Sequence, residues 1–189
     1  MASKPRPAPP RPGAGALKAR TAEILRVDHA GELAAVQIYR GQQAVFSGAR
    51  GKAAAAAEFA ELGAQEEAHL AAFETLLGQR GARPSLLSPL WAAAGFALGA
   101  ATALIGETAA HACTEAVESV IEQHYAGQVL ELAEVDPELS GRLDGYRAEE
   151  LAHHDKAIGS GARDAPGYGL LTAVIRAGCR VAIKAAERV

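Results

Sequence analysis

Two short stretches, AQEEAHL at 64–70 and EELAHHD at 149–155, each place a Glu three residues before a His. The pairs are Glu66 with His69 and Glu150 with His153. At helical pitch, positions three apart share a face, so each pair aims a carboxylate and an imidazole the same way. One such pair is commonplace in a Glu-rich helical chain, where it sits on a solvated face. Here each pair follows a further Glu in apolar surroundings: Glu32 before the first and Glu118 before the second. The separations match closely, 34 residues from Glu32 to Glu66 and 32 from Glu118 to Glu150. The chain therefore reads as two helix-pair halves built to one plan. That plan is the ligand set of a two-metal carboxylate site in a four-helix bundle, with one Glu from each of two helices and Glu-x-x-His from each of the others. Four carboxylates can bridge two cations, and two neutral imidazoles complete the set. Buried without metal, six such side chains would crowd like charges away from water.

The spacing also selects among neighbours. Glu67 and Glu149 are out of register with the histidines, so Glu66 and Glu150 are the expected ligands. His154 points about 100° away from His153 on the helix and reads as a surface residue or one behind the ligands. Asp28 sits one turn before Glu32; it either orients a ligating His from behind or is an exposed helical Asp. His29 and His111 fit no such pattern and are not expected to be ligands.

The rest of the chain supports an all-α fold. Helical patterning runs from Leu17, breaks at GARGK (48–52), resumes to residue 80 and stops at QRGARP. Further helices are expected over 90–106, 107–134, 137–159 and 168–188, with Asp136-Pro137 as a start signal. No strand or hairpin pattern occurs. Aromatic residues are only 5% of the chain, and Ala and Leu carry the apolar mass. A net charge of −3 argues against a nucleic-acid partner. Cys113 and Cys179 suit small buried hydrophobes better than a disulfide framework. Residues 1–16, rich in proline and free of acid, read as a disordered basic tail ahead of a single domain at 17–189.

Longer motifs carry a family resemblance. RVDHAGELAAVQIYRGQQAVF, PLWAAAGFALGAATALIG, ACTEAVESVIEQHY, EELAHHD and AGCRVAIKAAERV, in order over residues 20–189, resemble the demethoxyubiquinone hydroxylase family of ubiquinone biosynthesis. The resemblance implies a ferritin-like four-helix bundle with a di-iron centre, an apolar crossover helix and a C-terminal helix. It implies iron ligation by Glu32, Glu66, His69, Glu118, Glu150 and His153, with Glu66 and Glu150 bridging. The implied activity is a monooxygenase: O2-dependent hydroxylation of a polyprenyl 3-methyl-6-methoxy-1,4-benzoquinol, with NADH or the quinol as electron source. His124 and Tyr125, in EQHY, match a family segment and are expected to support the site. Lys184 stands where relatives often carry Tyr, so a tyrosine role there does not transfer to this chain. A ferroxidase or peroxide-reducing protein on the same site is the competing reading.

The segment from Pro84 to Gly106 has 23 consecutive uncharged residues. Its helical part, about 25 Å long, is marginal for a bilayer core of about 30 Å. Two readings stand: a buried crossover helix between the halves, or a peripheral membrane element (83–106) with Trp91 at the interface and Leu90, Phe96 and Leu98 in lipid. A polyprenyl substrate favours the second, on the cytoplasmic face of a bacterial inner membrane rather than the mitochondrial inner membrane. Gly95 and Gly99 form a small-xxx-small pair, which would permit a homo-oligomer or a partner protein of the same pathway to pack closely.

Overall fold

The computed structural model describes residues 13–188. The tail expected at 1–16 lies largely outside these residues. Six α-helices follow in order: α1 (Ala14–Gly48), α2 (Ala53–Arg80), α3 (Ser88–Ile105), α4 (Glu107–Leu132), α5 (Pro137–Gly159) and α6 (Tyr168–Ala186), with a 3-10 turn, Ala162–Asp164, before the last. There is no strand among the described residues. The first helix begins at Ala14, ahead of the first periodic residue Leu17.

Local chemistry explains the ends. Gly81 stops α2 in the left-handed region (φ 62°), and Ala82 N donates to Leu77 O at 2.9 Å, which satisfies a terminal carbonyl. Asp136 caps α5 by accepting from Leu139 N at 3.2 Å, with Pro137 in the first turn, where its missing N–H costs nothing.

The architecture repeats itself. α1 packs on α2 and α4 on α5, forming two helical hairpins, while α3 lies against α1 and α6 against α4. Two apolar layers hold the hairpins together. One gathers Ile24, Leu25, Phe73, Leu76, Tyr125, Leu132 and Leu143. The other gathers Tyr39, Phe46, Phe59, Leu62 and Ala110. Phe59 and Phe73 are fully buried, and truncating either to Ala costs about 3–5 kcal/mol. Glu32, Glu66 and Glu118 fall between these layers along their helices, and Glu150 follows Leu143 of the first layer on α5.

The seam between α1 and α3 is backbone to backbone. A Cβ on Gly99 would collide with Ile38 O, one on Gly95 with Ala34 O, and one on Gly41 with Phe96 O. The small-residue pair expected to serve an oligomer or partner is therefore occupied within the chain, by α1.

Candidate metal centre

Six side chains converge between the two layers: Glu32 from α1, Glu66 and His69 from α2, Glu118 from α4, Glu150 and His153 from α5. None is more than 5% exposed. Their ligand atoms form two groups, each within 4.8 Å: Glu32, Glu66, His69 and Glu150 in one, Glu66, Glu118, Glu150 and His153 in the other. Glu66 and Glu150 belong to both groups. His69 Nδ1 lies 3.2 Å from Glu150 Oε1 and 3.6 Å from Glu32 Oε2 and Glu66 Oε2. His153 Nδ1 lies 2.9 Å from Glu66 Oε1 and 3.6 Å from Glu150 Oε2.

Eight inward atoms have no aligned hydrogen-bond partner among the described residues: both oxygens of Glu66 and Glu150, one each of Glu32 and Glu118, and Nδ1 of each imidazole. Buried polar groups in a folded protein are otherwise nearly always satisfied. Carboxylate oxygens and imidazole nitrogens in this arrangement could hold two divalent transition-metal ions.

The electrostatics show how strained the set is by itself. Burial, then the neighbouring carboxylates Glu150 and Glu66, push Glu32 and Glu118 well above the usual carboxylate range. Burial also pushes Glu66 up, but the imidazoles of His153 and His69 more than reverse it, to about 2. Burial would lower His153, yet Glu150 and Glu66 beside it raise it to about 9. His69 is raised as well, because Glu150, Glu32 and Glu66 outweigh its burial.

Residues 19–186 match a known family model, described as ubiquinone biosynthesis protein COQ7. The chain belongs to the COQ7 family. It is 48% identical over 166 residues to the 3-demethoxyubiquinol 3-hydroxylase of Rhodospirillum rubrum, covering 88% of this chain and 77% of that protein. It is 45% identical over 175 residues to the human NADPH-dependent 3-demethoxyubiquinone 3-hydroxylase, mitochondrial, covering 90% and 79%. It is 41% identical over 181 residues to the 5-demethoxyubiquinone hydroxylase, mitochondrial, of Saccharomyces cerevisiae, covering 88% and 77%. These relatives are hydroxylases, and the ferroxidase alternative is not favoured.

Around the COQ7-family cluster the structure adds residues that spacing had passed over. Tyr39 donates its hydroxyl to Glu118 Oε1 at 2.7 Å, and Tyr125 donates to Glu32 Oε1. Each tyrosine follows a site glutamate of its own helix by seven residues and braces the glutamate of the opposite helix. That repeated Glu-x6-Tyr spacing was a readable signal for Tyr39, which sequence reasoning missed. Glu149, set aside as out of register, lies with Oε2 2.8 Å from His69 Nε2, and Gln65 Oε1 lies 2.7 Å from His153 Nε2. Glu67 is half-exposed and pairs with Arg40. His154 is partly exposed and rests against Asp155 and Glu115. His29 and His111 are buried, and neither belongs to the metal-ligand groups.

Asp28 is buried, which removes the reading of an exposed helical Asp. It touches neither site histidine. Its Oδ1 accepts from Gln128 Nε2 at 2.7 Å and lies 3.5 Å from His124 Nε2. His124 is thus held one turn beyond the cluster, in contact with Asp28 and Gln128 rather than with a ligand.

An apolar cavity of about 90 Å³ opens between α1, α3, α4 and α6, lined by residues that include Gly31, Ile38, Trp91, Val117, Ile121 and Ile183. Gly31 and Val117 each stand next in sequence to a site glutamate, Glu32 and Glu118. The crossover helix α3 is long and apolar enough to cross a membrane and is mostly exposed. Of the four residues expected to meet lipid, Leu90 and Phe96 do face outward. Trp91 and Leu98 turn inward: Trp91 packs with Val27, Ala30 and Ala186 at the cavity wall, and Leu98 packs with Ile38 and Cys113. The close α1–α3 seam sets this rotation, because its glycines must face α1.

Proposed function

We propose that this COQ7-family chain is the hydroxylase that adds a ring hydroxyl to a polyprenyl 3-methyl-6-methoxy-1,4-benzoquinol in ubiquinone biosynthesis, using O2 at a di-iron centre. Glu32, Glu66 and His69 with Glu150 would hold one iron, and Glu118, Glu150 and His153 with Glu66 the other, so that Glu66 and Glu150 would serve both. The observation that carries this reading is the set of eight buried, inward carboxylate and imidazole atoms with no aligned hydrogen-bond partner. When bound, the irons supply reductive activation of O2, a chemistry no side chain possesses. The chain's own residues hold the geometry. Tyr39 and Tyr125 restrain the terminal carboxylates, Glu149 and Gln65 fix the imidazoles with Nδ1 inward, and the apolar layers exclude water. Electrons come from a reduced nicotinamide nucleotide, in line with the name of the human relative, or from the quinol.

The cavity beside Glu32 and Glu118 takes the quinol ring, and its apolar wall suits the first prenyl units. The outer faces of α3 and α6 flank it, and Leu90, Leu104, Leu170 and Val174 are exposed there. Apolar patches of this kind suit lipid. The chain rests peripherally on a membrane, the cytoplasmic face of a bacterial inner membrane, and the prenyl tail stays in the bilayer. The test is turnover of a short-chain demethoxyquinol by iron-loaded protein with labelled O2. The product is expected to gain one labelled oxygen. Peroxide turnover without ring hydroxylation would mark a ferroxidase or peroxide-reducing protein instead.

A further inference from the structure

The two halves mirror each other closely around the site, and their outer contacts cross over. Tyr125 braces Glu32 while Tyr39 braces Glu118. The residue preceding each half's second glutamate reaches the histidine of the other half: Glu149 meets His69 at 2.8 Å and Gln65 meets His153 at 2.7 Å. Each acceptor receives a hydrogen bond from Nε2–H, which turns Nδ1 inward as the atom that would ligate. They differ by one full charge, and at this outer position the internal symmetry breaks.

We infer that this break makes the two metal positions unequal, the one at His69 binding a divalent cation before the one at His153, with Glu149 the positioning residue that sets the order. A carboxylate drawing on the Nε2 proton makes Nδ1 a stronger donor and adds negative charge next to that ion. An amide oxygen holds the ring in the same orientation without either effect. The remaining ligands balance: the bridging glutamates are shared, and each terminal glutamate has its tyrosine. Outer-shell partners of this type change metal affinity by about 10–100-fold. The inference rests on the two-metal reading above.

The test is titration of metal-free full-length protein with Co(II), followed by calorimetry and by visible absorption. Two binding events separated by about tenfold or more are expected. Glu149→Gln keeps the hydrogen-bond acceptor and should close the gap by weakening the first event. Gln65→Glu should close it by strengthening the second. Both positions are exposed, so circular dichroism should show an unchanged fold. Exchanging both residues should reverse the order. His69→Ala should then leave the tight event in the exchanged protein and abolish it in the parent. Two events of equal affinity in the parent, or an unequal pair untouched by Glu149→Gln, would overturn the inference and leave the two-metal site standing. Binding of fewer than two ions in the parent would overturn the reading beneath it as well.

Discussion

Tyr39 of α1 donates to Glu118 of α4 at 2.7 Å, and this bond crosses from one helical hairpin to the other. Its counterpart, Tyr125 to Glu32, crosses the opposite way. Together they tie the two halves at the level of the cluster. Tyr39→Phe leaves a buried carboxyl oxygen unsatisfied at a cost of about 2 kcal/mol. For a chain of this size that is a fall in Tm of about 4–8 °C. Tyr125→Phe should cost a similar amount. Thermal melts of the two variants check this, and an unchanged Tm in both would show that the braces contribute nothing to stability.

The α1–α3 seam should be intolerant of a single methyl group. In Gly99→Ala the new Cβ meets the Ile38 carbonyl, which belongs to helix backbone and cannot rotate away. A loss of about 3 kcal/mol is expected, read by denaturant unfolding. Gly127→Ala, where nothing lies within 4 Å, is the control and should be neutral or stabilising by about 0.5–1 kcal/mol.

Gly31 gives the opposite test. It lines the apolar cavity, and a Cβ there would enter open space. Gly31→Leu should leave stability unchanged or raise it by about 0.5–1 kcal/mol, as a helical glycine is removed. The same substitution fills the space assigned to the quinol, so turnover of demethoxyquinol should fall at least about tenfold with iron content unchanged. KM and metal analysis on one preparation separate the two effects.

Metal loading should release protons. His69 and His153 are raised above their ordinary value of 6.5, His153 to about 9, and both must lose a proton at Nδ1 to ligate. Near neutral pH, binding should therefore acidify an unbuffered solution, and affinity should climb as pH rises through about 9. The sign for stability follows from the same shift. A base whose folded pKa is raised stabilises fully below 6.5 and loses that contribution as pH rises through about 9. Glu32 and Glu118, also raised, act in the same direction. The Tm of chelated protein should fall over this window and that of loaded protein should stay flatter. A flat Tm in the chelated form would count against protonated imidazoles there.

His111 has the reverse dependence. It is buried against Phe59, with ring centroids 4.9 Å apart, and burial lowers its pKa. Its unfolded form takes a proton below about 6.5 more readily than its folded form, so it costs stability as pH falls. His111→Gln should flatten the acid side of the Tm profile relative to the parent.

Much of this was legible along the chain. Helical periodicity, stop signals such as Gly81 and the Asp136-Pro137 start placed the helices to within a few residues. The paired Glu-x-x-His motifs with Glu32 and Glu118 upstream identified the converging side chains, because metal-ligand spacing on a helix is a local property. Local spacing could not reach Glu149. It faces away from the cluster on its own helix, and only the packing of α5 on α2 brings it to His69. Asp28 was ambiguous for the same reason: burial depends on what lies opposite, and α4 supplies Gln128 and His124. Trp91 and Leu98 looked like lipid contacts because hydropathy carries no information about rotation. The sequence by itself determined which residues could share a helix face, since that follows from the pitch of the backbone. Only the tertiary structure decided which faces meet, since crossed bonds such as Tyr39–Glu118 and the glycine seam of α1 and α3 depend on distances between helices.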